Sequence, residues 1–197
     1  MTVMDLPMVV APRAKRWTTD QYNRLVERGA LEGQHIFLYR GEIFEMPALG
    51  ALHRIAIINV THWLTSVFRP EFFIQVQLPL ITPGDSVPEP DAAVITKDQA
   101  MRRPHPDRAE LIVEVSDSSI NLDHEKAFDY AAAGVPEYWI IDLNSRSIFI
   151  LRDPQPDGSA PLGYRYAFSR TALENETVSS LLRPQSPIAV ASLLATN

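Results

Sequence analysis

A nearly continuous apolar segment at residues 110–115 constrains the fold most strongly, because its aliphatic residues enclose the carboxylate of Glu114. The aliphatic neighbours of that glutamate are Leu111, Ile112, Val113 and Val115. An apolar run without alternation is typical of a strand inside a sheet. A carboxylate there is costly to bury unless it is paired or bound to a metal ion. The segment therefore predicts an inner strand whose charged group has a partner.

The sequence on either side of this strand continues the sheet. A short strand is predicted at residues 91–95, beginning with Asp91 after a proline. A helix is predicted at residues 120–133, where Gly134 provides its C-terminal cap and Pro136 prevents its continuation. Two further strands, at residues 137–142 and 147–151, are separated by a turn and are expected to pair.

The remaining elements follow from capping, alternation and turn residues. Thr18 and Gln21 have capping-box spacing, which predicts a helix at residues 19–28. The other predicted elements are a hairpin at 36–39 and 42–46 ended by Pro47, a long helix at 49–68, a strand at 72–80, loops at 97–108 and 153–163, and an edge strand at 164–168. We expect an α+β fold with a mixed central β-sheet flanked by helices, and with an N-terminal helix and β-hairpin. Residues 17–197 are expected to form one domain, preceded by a partly flexible extension at 1–16.

Composition limits the chemistry. The chain has 197 residues and no cysteine, which excludes disulfides, zinc-thiolate sites, iron–sulfur clusters and a cysteine nucleophile. Any metal must therefore bind oxygen or imidazole ligands. The first apolar residues have no basic segment before them, and no apolar stretch approaches the roughly 20 residues of a membrane-spanning helix. We expect a cytoplasmic protein without a membrane partner.

Three charged groups occur in an order that suits phosphodiester chemistry. Asp91 and Glu114 lie on strands that are expected to be neighbours, and two carboxylates with water and phosphate are a typical Mg²⁺ ligand set. Cleavage also calls for a cation that orients water or stabilises developing charge. The position two residues after Glu114 would share its face of the strand, but it is Ser116. Lys126, on the following helix, is the residue that can supply the charge.

These residues belong to a longer pattern. It consists of Pro90-Asp91, Glu110-Leu-Ile-Val-Glu114-Val-Ser116, and Asp123-x-x-Lys126-x-x-x-Tyr130-x-x-x-Gly134-Val-Pro-Glu137-Tyr-Trp-Ile-Ile-Asp142. The pattern resembles the Uma-two family of the PD-(D/E)xK nuclease superfamily, in the variant whose lysine has moved from the strand to the next helix. Gly41-Glu42, Met46-Pro47 and His53 also match, so the resemblance covers roughly residues 17–151.

The resemblance implies a restriction-endonuclease-like core and a magnesium-dependent DNA endonuclease, in which Mn²⁺ can replace Mg²⁺. Asp91 and Glu114 are the implied metal ligands, and Lys126 is the implied catalytic cation. Glu42, His53 and Tyr130 are candidate accessory residues. The chain departs from the family at two positions. Phe37 stands where members often carry a glutamate, and Asp117 stands where they often carry a serine, so Asp117 either adds a carboxylate or caps the next helix.

Several alternatives remain open from the sequence. Glu114 and Lys126 could form a structural ion pair without metal. A net charge of −6 favours a noncatalytic nucleic-acid-binding or interaction protein that retains the fold, although basic residues cluster at Arg13, Lys15 and Arg16 and at Arg102, Arg103, His105 and Arg108. RNA and branched DNA remain alternative substrates. Cleavage of both strands of a duplex would favour a two-fold homodimer.

Overall fold

The computed structural model describes residues 13–46 and 48–195, so Pro47 and most of the predicted extension lie outside the described residues. The helices are α1 (Thr19–Glu27), α2 (Ala51–Phe68), α3 (Lys97–Ala100), α4 (Ile120–Ala132) and α5 (Val190–Leu193). The strands are β1 (Ile36–Tyr39), β2 (Glu42–Glu45), β3 (Phe73–Gln75), β4 (Ala92–Ile95), β5 (Leu111–Ser116), β6 (Glu137–Asp142), β7 (Ser147–Pro156), β8 (Tyr164–Leu173), β9 (Thr177–Val178) and β10 (Ile188–Ala189). In this part of the chain, none of the helices combines the length and the apolarity that crossing a membrane requires.

Six strands form a mixed central sheet in the order β3-β4-β5-β6-β7-β8. The pair β5 and β6 is parallel, whereas the other four neighbouring pairs are antiparallel. Helix α4 connects the two parallel strands, as a crossover connection requires. The predicted α+β architecture with a mixed central sheet is confirmed, and the apolar strand around Glu114 is an inner strand.

Helices cover both faces of the sheet. Helix α2 packs on one face, where the ring of Trp63 stacks on that of Trp139 at 5.4 Å between centroids. Helix α4 covers the other face, where Tyr130 packs among the buried side chains of Ile112 and its neighbours. Alternation along β5 places Glu114 on the same face as Ile112, toward α4. The sheet therefore presents its buried carboxylate to the helix that carries Lys126.

The N-terminal helix and the hairpin form a smaller layer. Thr18 and Gln21 make the predicted capping box at the start of α1. The turn between β1 and β2 uses Arg40, whose φ of 47° lies in the left-handed region. Asp129 on α4 is buried and accepts hydrogen bonds from the hydroxyl of Tyr39 at 3.2 Å and from Arg40 Nη2 at 2.8 Å. These bonds attach the hairpin to α4 beside Lys126.

The strand predicted at residues 72–80 is present only at residues 73–75, and the prediction is wrong for the residues that follow. Strand β3 ends at Gln75, and Gln77 adopts a φ of 48°, which bends the chain out of the sheet. The side chain of Gln75 then donates to the carbonyl oxygens of Leu78 and Pro79 and holds the bend. Apolar residues continue to alternate along the sequence through this bend, so the pattern did not indicate where the strand ends.

The predicted loop at residues 153–163 is also shorter in the structure. Strand β7 continues through Pro154 to Pro156 and pairs with β8, which runs to Leu173. Pairing of β7 with β6 ends at Arg152, so the prolines lie where β7 has only one partner. A proline is tolerated there because the missing N–H faces no strand.

Candidate active site

Asp91 and Glu114 come together across neighbouring strands. Asp91 directly precedes β4, and its backbone N–H donates to Glu114 Oε2 at 3.2 Å. In return, the backbone N–H of Val115 donates to Asp91 Oδ2 at 2.8 Å. Asp91 is 8% exposed and Glu114 is 3% exposed. The antiparallel pairing of β4 with β5 therefore holds two carboxylates side by side in a buried position.

Lys126 reaches the same place from α4. Its Nζ donates to Glu114 Oε1 at 2.9 Å and to Asp123 Oδ1 at 3.1 Å. The side chain is buried, and an ammonium group has three N–H donors. Two of them serve these carboxylates, which leaves the third available to a bound molecule.

Two of the three accessory candidates also contact this cluster. The hydroxyl of Tyr130, one helical turn beyond Lys126, donates to Glu114 Oε1 at 2.8 Å. His53 on α2 places Nε2 3.2 Å from Asp91 Oδ2, where the imidazole donates and the carboxylate accepts. Each side chain thus fixes the orientation of one carboxylate.

Glu42 and Asp117 lie apart from the cluster. The carboxylate of Glu42 forms an exposed ion pair with Arg16 at 3.1 Å and does not line the site cavity. Asp117 is exposed, and the residue in the N-cap position of α4 is Ser119. Neither of the two alternatives for Asp117, an added site carboxylate or the helix cap, is therefore seen, and among the described residues neither Glu42 nor Asp117 joins the site.

Sequence reasoning missed two members of the cluster. Asp123 is 2% exposed, and its Oδ2 accepts from the hydroxyl of Ser119 at 2.6 Å. Its spacing of three residues from Lys126 is a helical signal that could have identified it. Gln77 donates from Nε2 to Asp91 Oδ1 at 3.3 Å, but only because the chain bends at that residue. No local pattern signals that contact.

The cluster contains more negative than positive charge. It holds three carboxylates, those of Asp91, Glu114 and Asp123, and one ammonium group, which contacts the last two. Burial raises the pKa of Glu114 to about 7, with Asp123 and Asp91 adding to the rise and Lys126 opposing it. Burial lowers the pKa of Lys126, but the adjacent carboxylates raise it by more, so the net direction is upward. Burial also lowers the pKa of His53, but the hydrogen bond to Asp91 and the negative charge of that carboxylate raise it by more, so the net direction is again upward.

The raised pKa of Glu114 predicts a pH dependence of stability. The unfolded side chain ionises near the ordinary glutamate pKa of 4.5, whereas the folded one keeps its proton until about pH 7. Between these values the folded state binds more protons, so in the metal-free protein this group lowers the free energy of unfolding as pH rises. Urea unfolding across pH 4.5 to 7 should show a steeper decline for the wild type than for Glu114→Gln. Equal slopes would contradict the assignment.

The residues present fit a divalent cation. Asp91 Oδ2 accepts two hydrogen bonds and Glu114 Oε1 accepts two, whereas Asp91 Oδ1 and Glu114 Oε2 accept one each from the described residues. A carboxylate oxygen has two lone pairs, so one on each of the latter atoms remains for a metal ion. Within residues 13–46 and 48–195 no three His, Asp or Glu side chains are arranged to hold a metal ion. Two protein carboxylates plus water and phosphate suit Mg²⁺.

A cavity of about 120 Å³ opens onto the cluster. Besides the charged residues, its lining includes the apolar side chains of Phe37, Met46, Leu49 and Leu122. Phe37, at the position where the resembled family often has a glutamate, has its ring centroid 6.0 Å from Lys126 Nζ. Apolar side chains beside charged groups lower the local dielectric constant and so strengthen the electrostatic interactions of those charges.

Comparison with known proteins identifies the family of the chain. The family model described as "Putative restriction endonuclease", Uma2, matches residues 19–188, which is most of the chain. The chain belongs to the Uma-two family. The resemblance in its sequence motifs is thereby confirmed, and Asp91, Glu114 and Lys126 all fall within the matched residues.

A solved structure shares the fold of this Uma-two protein. The crystal structure of "a putative nuclease belonging to DUF820" from Anabaena variabilis ATCC 29413 superposes with a TM-score of 0.70 at 16% sequence identity. The match covers 89% of this chain and 96% of that chain. At this identity the likeness establishes the fold alone. Comparison with curated proteins gives no match.

Proposed function

We propose that this Uma-two protein is a magnesium-dependent endonuclease that hydrolyses phosphodiester bonds of DNA. The observation that carries the proposal is the convergence of Asp91, Glu114 and Lys126 in one buried cluster with an excess of negative charge. A divalent cation would neutralise that excess. Family membership supports a nuclease, and the site chemistry supports the metal dependence.

Each residue of the cluster has a distinct role in the proposal. Asp91 and Glu114 would hold Mg²⁺ through the lone pairs left on Oδ1 and Oε2. When bound, the ion supplies Lewis acidity and lowers the pKa of a coordinated water. Lys126 uses its remaining N–H to orient the attacking water or to stabilise charge on the phosphoryl oxygens.

The neighbouring side chains position these groups. Tyr130 and Asp123 hold Glu114 and Lys126 in place, and His53 and Gln77 hold Asp91. These four are positioning residues rather than catalytic ones. Their hydrogen bonds leave the reacting atoms few alternative orientations, which lowers the cost of reaching the transition state.

Cleavage of a plasmid tests the proposal directly. Purified protein should convert supercoiled DNA to nicked or linear forms with Mg²⁺ or Mn²⁺, and EDTA should stop the reaction. Protein carrying Asp91→Ala, purified identically, is the control for a contaminating nuclease. Cleavage that persists in that variant would show that the activity belongs to another protein or to another site.

One observation favours a second candidate, a noncatalytic nucleic-acid-binding or interaction protein that retains the nuclease fold. Lys126 is already paired with two carboxylates, so the cluster is stable as a structural ion-pair network. Titration calorimetry with Mg²⁺ and Mn²⁺ separates the two candidates. Metal binding that disappears in Asp91→Ala supports the enzyme, whereas no Asp91-dependent binding supports the noncatalytic protein.

A further inference from the structure

The site cavity is one end of a longer groove. It shares Met46, Leu49, Gln77 and Glu89 with an adjoining cavity of about 1010 Å³. That cavity shares Gln34, Ile36 and Glu89 with a third of about 360 Å³, which in turn shares Val26 and His105 with a fourth of about 710 Å³. The four cavities adjoin in series. The cavities therefore follow one another from the carboxylate cluster, past the end of the hairpin, to α1 and the loop after α3, and this series of neighbouring cavities is the groove referred to below.

The cavity of about 1010 Å³ next to the site is lined by side chains that can form hydrogen bonds. Among its described lining residues, His35 is the one side chain that can carry a positive charge. Its polar side chains are Gln34, His35, Glu45, Gln77 and Glu89. Carboxylates repel phosphate groups, so a nucleic-acid backbone would not lie against this wall. Glutamine and glutamate side chains do bind the edges of bases, through amide pairs and through acceptance from amino groups. This section suits bases rather than phosphates.

The far end of the groove has two arginines in its lining, balanced by two carboxylates. Arg24 on α1 and Arg103 in the loop after α3 line it together with His105. Neither arginine forms an ion pair with any residue in the described ranges, although Asp20 and Glu27 lie on the same wall. Arg103 belongs to the basic cluster that the sequence shows between residues 102 and 108. Unpaired guanidinium groups are suited to phosphate contacts.

We propose that this groove binds an unpaired strand of the DNA substrate, leading away from the bond that is cut. This inference rests on the proposed function and specifies its substrate class. Bases of the strand face the polar section beside the site, and phosphates farther along contact Arg24 and Arg103. The preferred substrate is then a single strand or a duplex with an unpaired tail, rather than a continuous duplex.

The depth of the site supports an unpaired strand for a second reason. Glu114 and Lys126 are buried side chains in the lining of a cavity of about 120 Å³, whereas a duplex presents its phosphates on a broad outer surface. In a duplex the base edges that pair are also hidden from the groove. An unpaired strand exposes those edges and is flexible enough to enter. Phe44, 38% exposed, is stacked at 5.7 Å between centroids on Phe37, which lines the cavity, and offers a ring for base stacking beside it.

Binding measurements test the groove without relying on cleavage. Fluorescence anisotropy with labelled single-stranded DNA of about 4 to 16 nucleotides, in EDTA, should show affinity that rises with length until the strand reaches the cations. Arg24→Ala/Arg103→Ala should weaken binding of the longer strands only. It should also reduce the slope of log K against log salt by about 1.4, because each lost single-strand phosphate contact removes about 0.7.

The chain offers a matched control for this double variant. Arg28 follows α1 and Arg108 lies in the same loop as Arg103, but neither lines the groove. Arg28→Ala/Arg108→Ala removes the same charge from the same two segments and should leave length dependence and salt slope unchanged. Equal losses in both double variants would overturn the proposal, since they would show a general effect of net charge.

The outcomes also separate this inference from the proposed function. If the wild type cuts blunt duplex as efficiently as tailed duplex, the enzyme stands and the unpaired-strand proposal fails. If no DNA is cut with Mg²⁺ or Mn²⁺ but the groove variants alone lose affinity for long strands, the groove stands and the nuclease proposal fails.

Discussion

Asp91→Asn should reduce Mg²⁺-dependent cleavage by at least about a thousandfold, because loss of metal-based stabilisation costs several kcal/mol in the transition state. The variant keeps the shape of the side chain. An amide oxygen at the Oδ2 position can still accept from Val115 and His53, and rotation of the Gln77 amide can accommodate an NH₂ group at the Oδ1 position. That NH₂ group replaces the oxygen whose lone pair is left for the metal ion.

Two measurements check this prediction. Cleavage rates should fall as stated, and Mg²⁺ should raise the melting temperature of the wild type but not that of Asp91→Asn, since only a protein that binds the ion gains stability from it. Asp117→Asn is the matched control, because it removes an exposed carboxylate that does not line the cavity. If Asp91→Asn cleaves DNA at the wild-type rate, Asp91 does not belong to the catalytic site.

Lys126→Met should lower the free energy of unfolding of the metal-free protein by about 3 to 5 kcal/mol, which is the usual cost of removing one partner from a buried ion pair. Glu114 and Asp123 lose their shared cation and remain buried. Cleavage should also be lost under conditions where the variant is folded, because no other lysine or arginine side chain among the described residues lines the site cavity.

Chemical denaturation and cleavage assays below the melting temperature measure the two effects separately. Lys97→Met is the control, because Lys97 is exposed on α3 and its replacement should change neither quantity. Glu114→Gln/Lys126→Met should be less destabilised than the sum of the single variants, because the two groups interact directly. Normal cleavage by folded Lys126→Met would leave Lys126 with a structural role only, as in the noncatalytic candidate.

Several parts of this structure were accessible from sequence because they depend on local chemistry. The apolar run at residues 110–115 predicted an inner strand, and β5 occupies that position. Gly134 and Pro136 predicted the end of α4, and the capping box at Thr18 predicted the start of α1. Each of these signals acts within a few residues and does not depend on how the rest of the chain packs.

The failures have a common cause. The bend at Gln77 and the extension of β7 through Pro154 depend on which strands lie alongside, and no short pattern records that. Gln77 consequently went unrecognised as a neighbour of Asp91. The position of Glu42, paired with Arg16 and outside the cavity, likewise depends on how the hairpin packs.

By itself, the sequence determined the order of strands and helices around Asp91, Glu114 and Lys126, because backbone propensity and helix capping are local properties. Only the tertiary structure decided that Asp123 supplies a third buried carboxylate, that Phe37 lines the site cavity, and that neighbouring cavities lead to Arg24 and Arg103. Contacts between residues far apart in the chain are set by packing and by the need to pair buried charge. Those constraints act on the folded molecule as a whole.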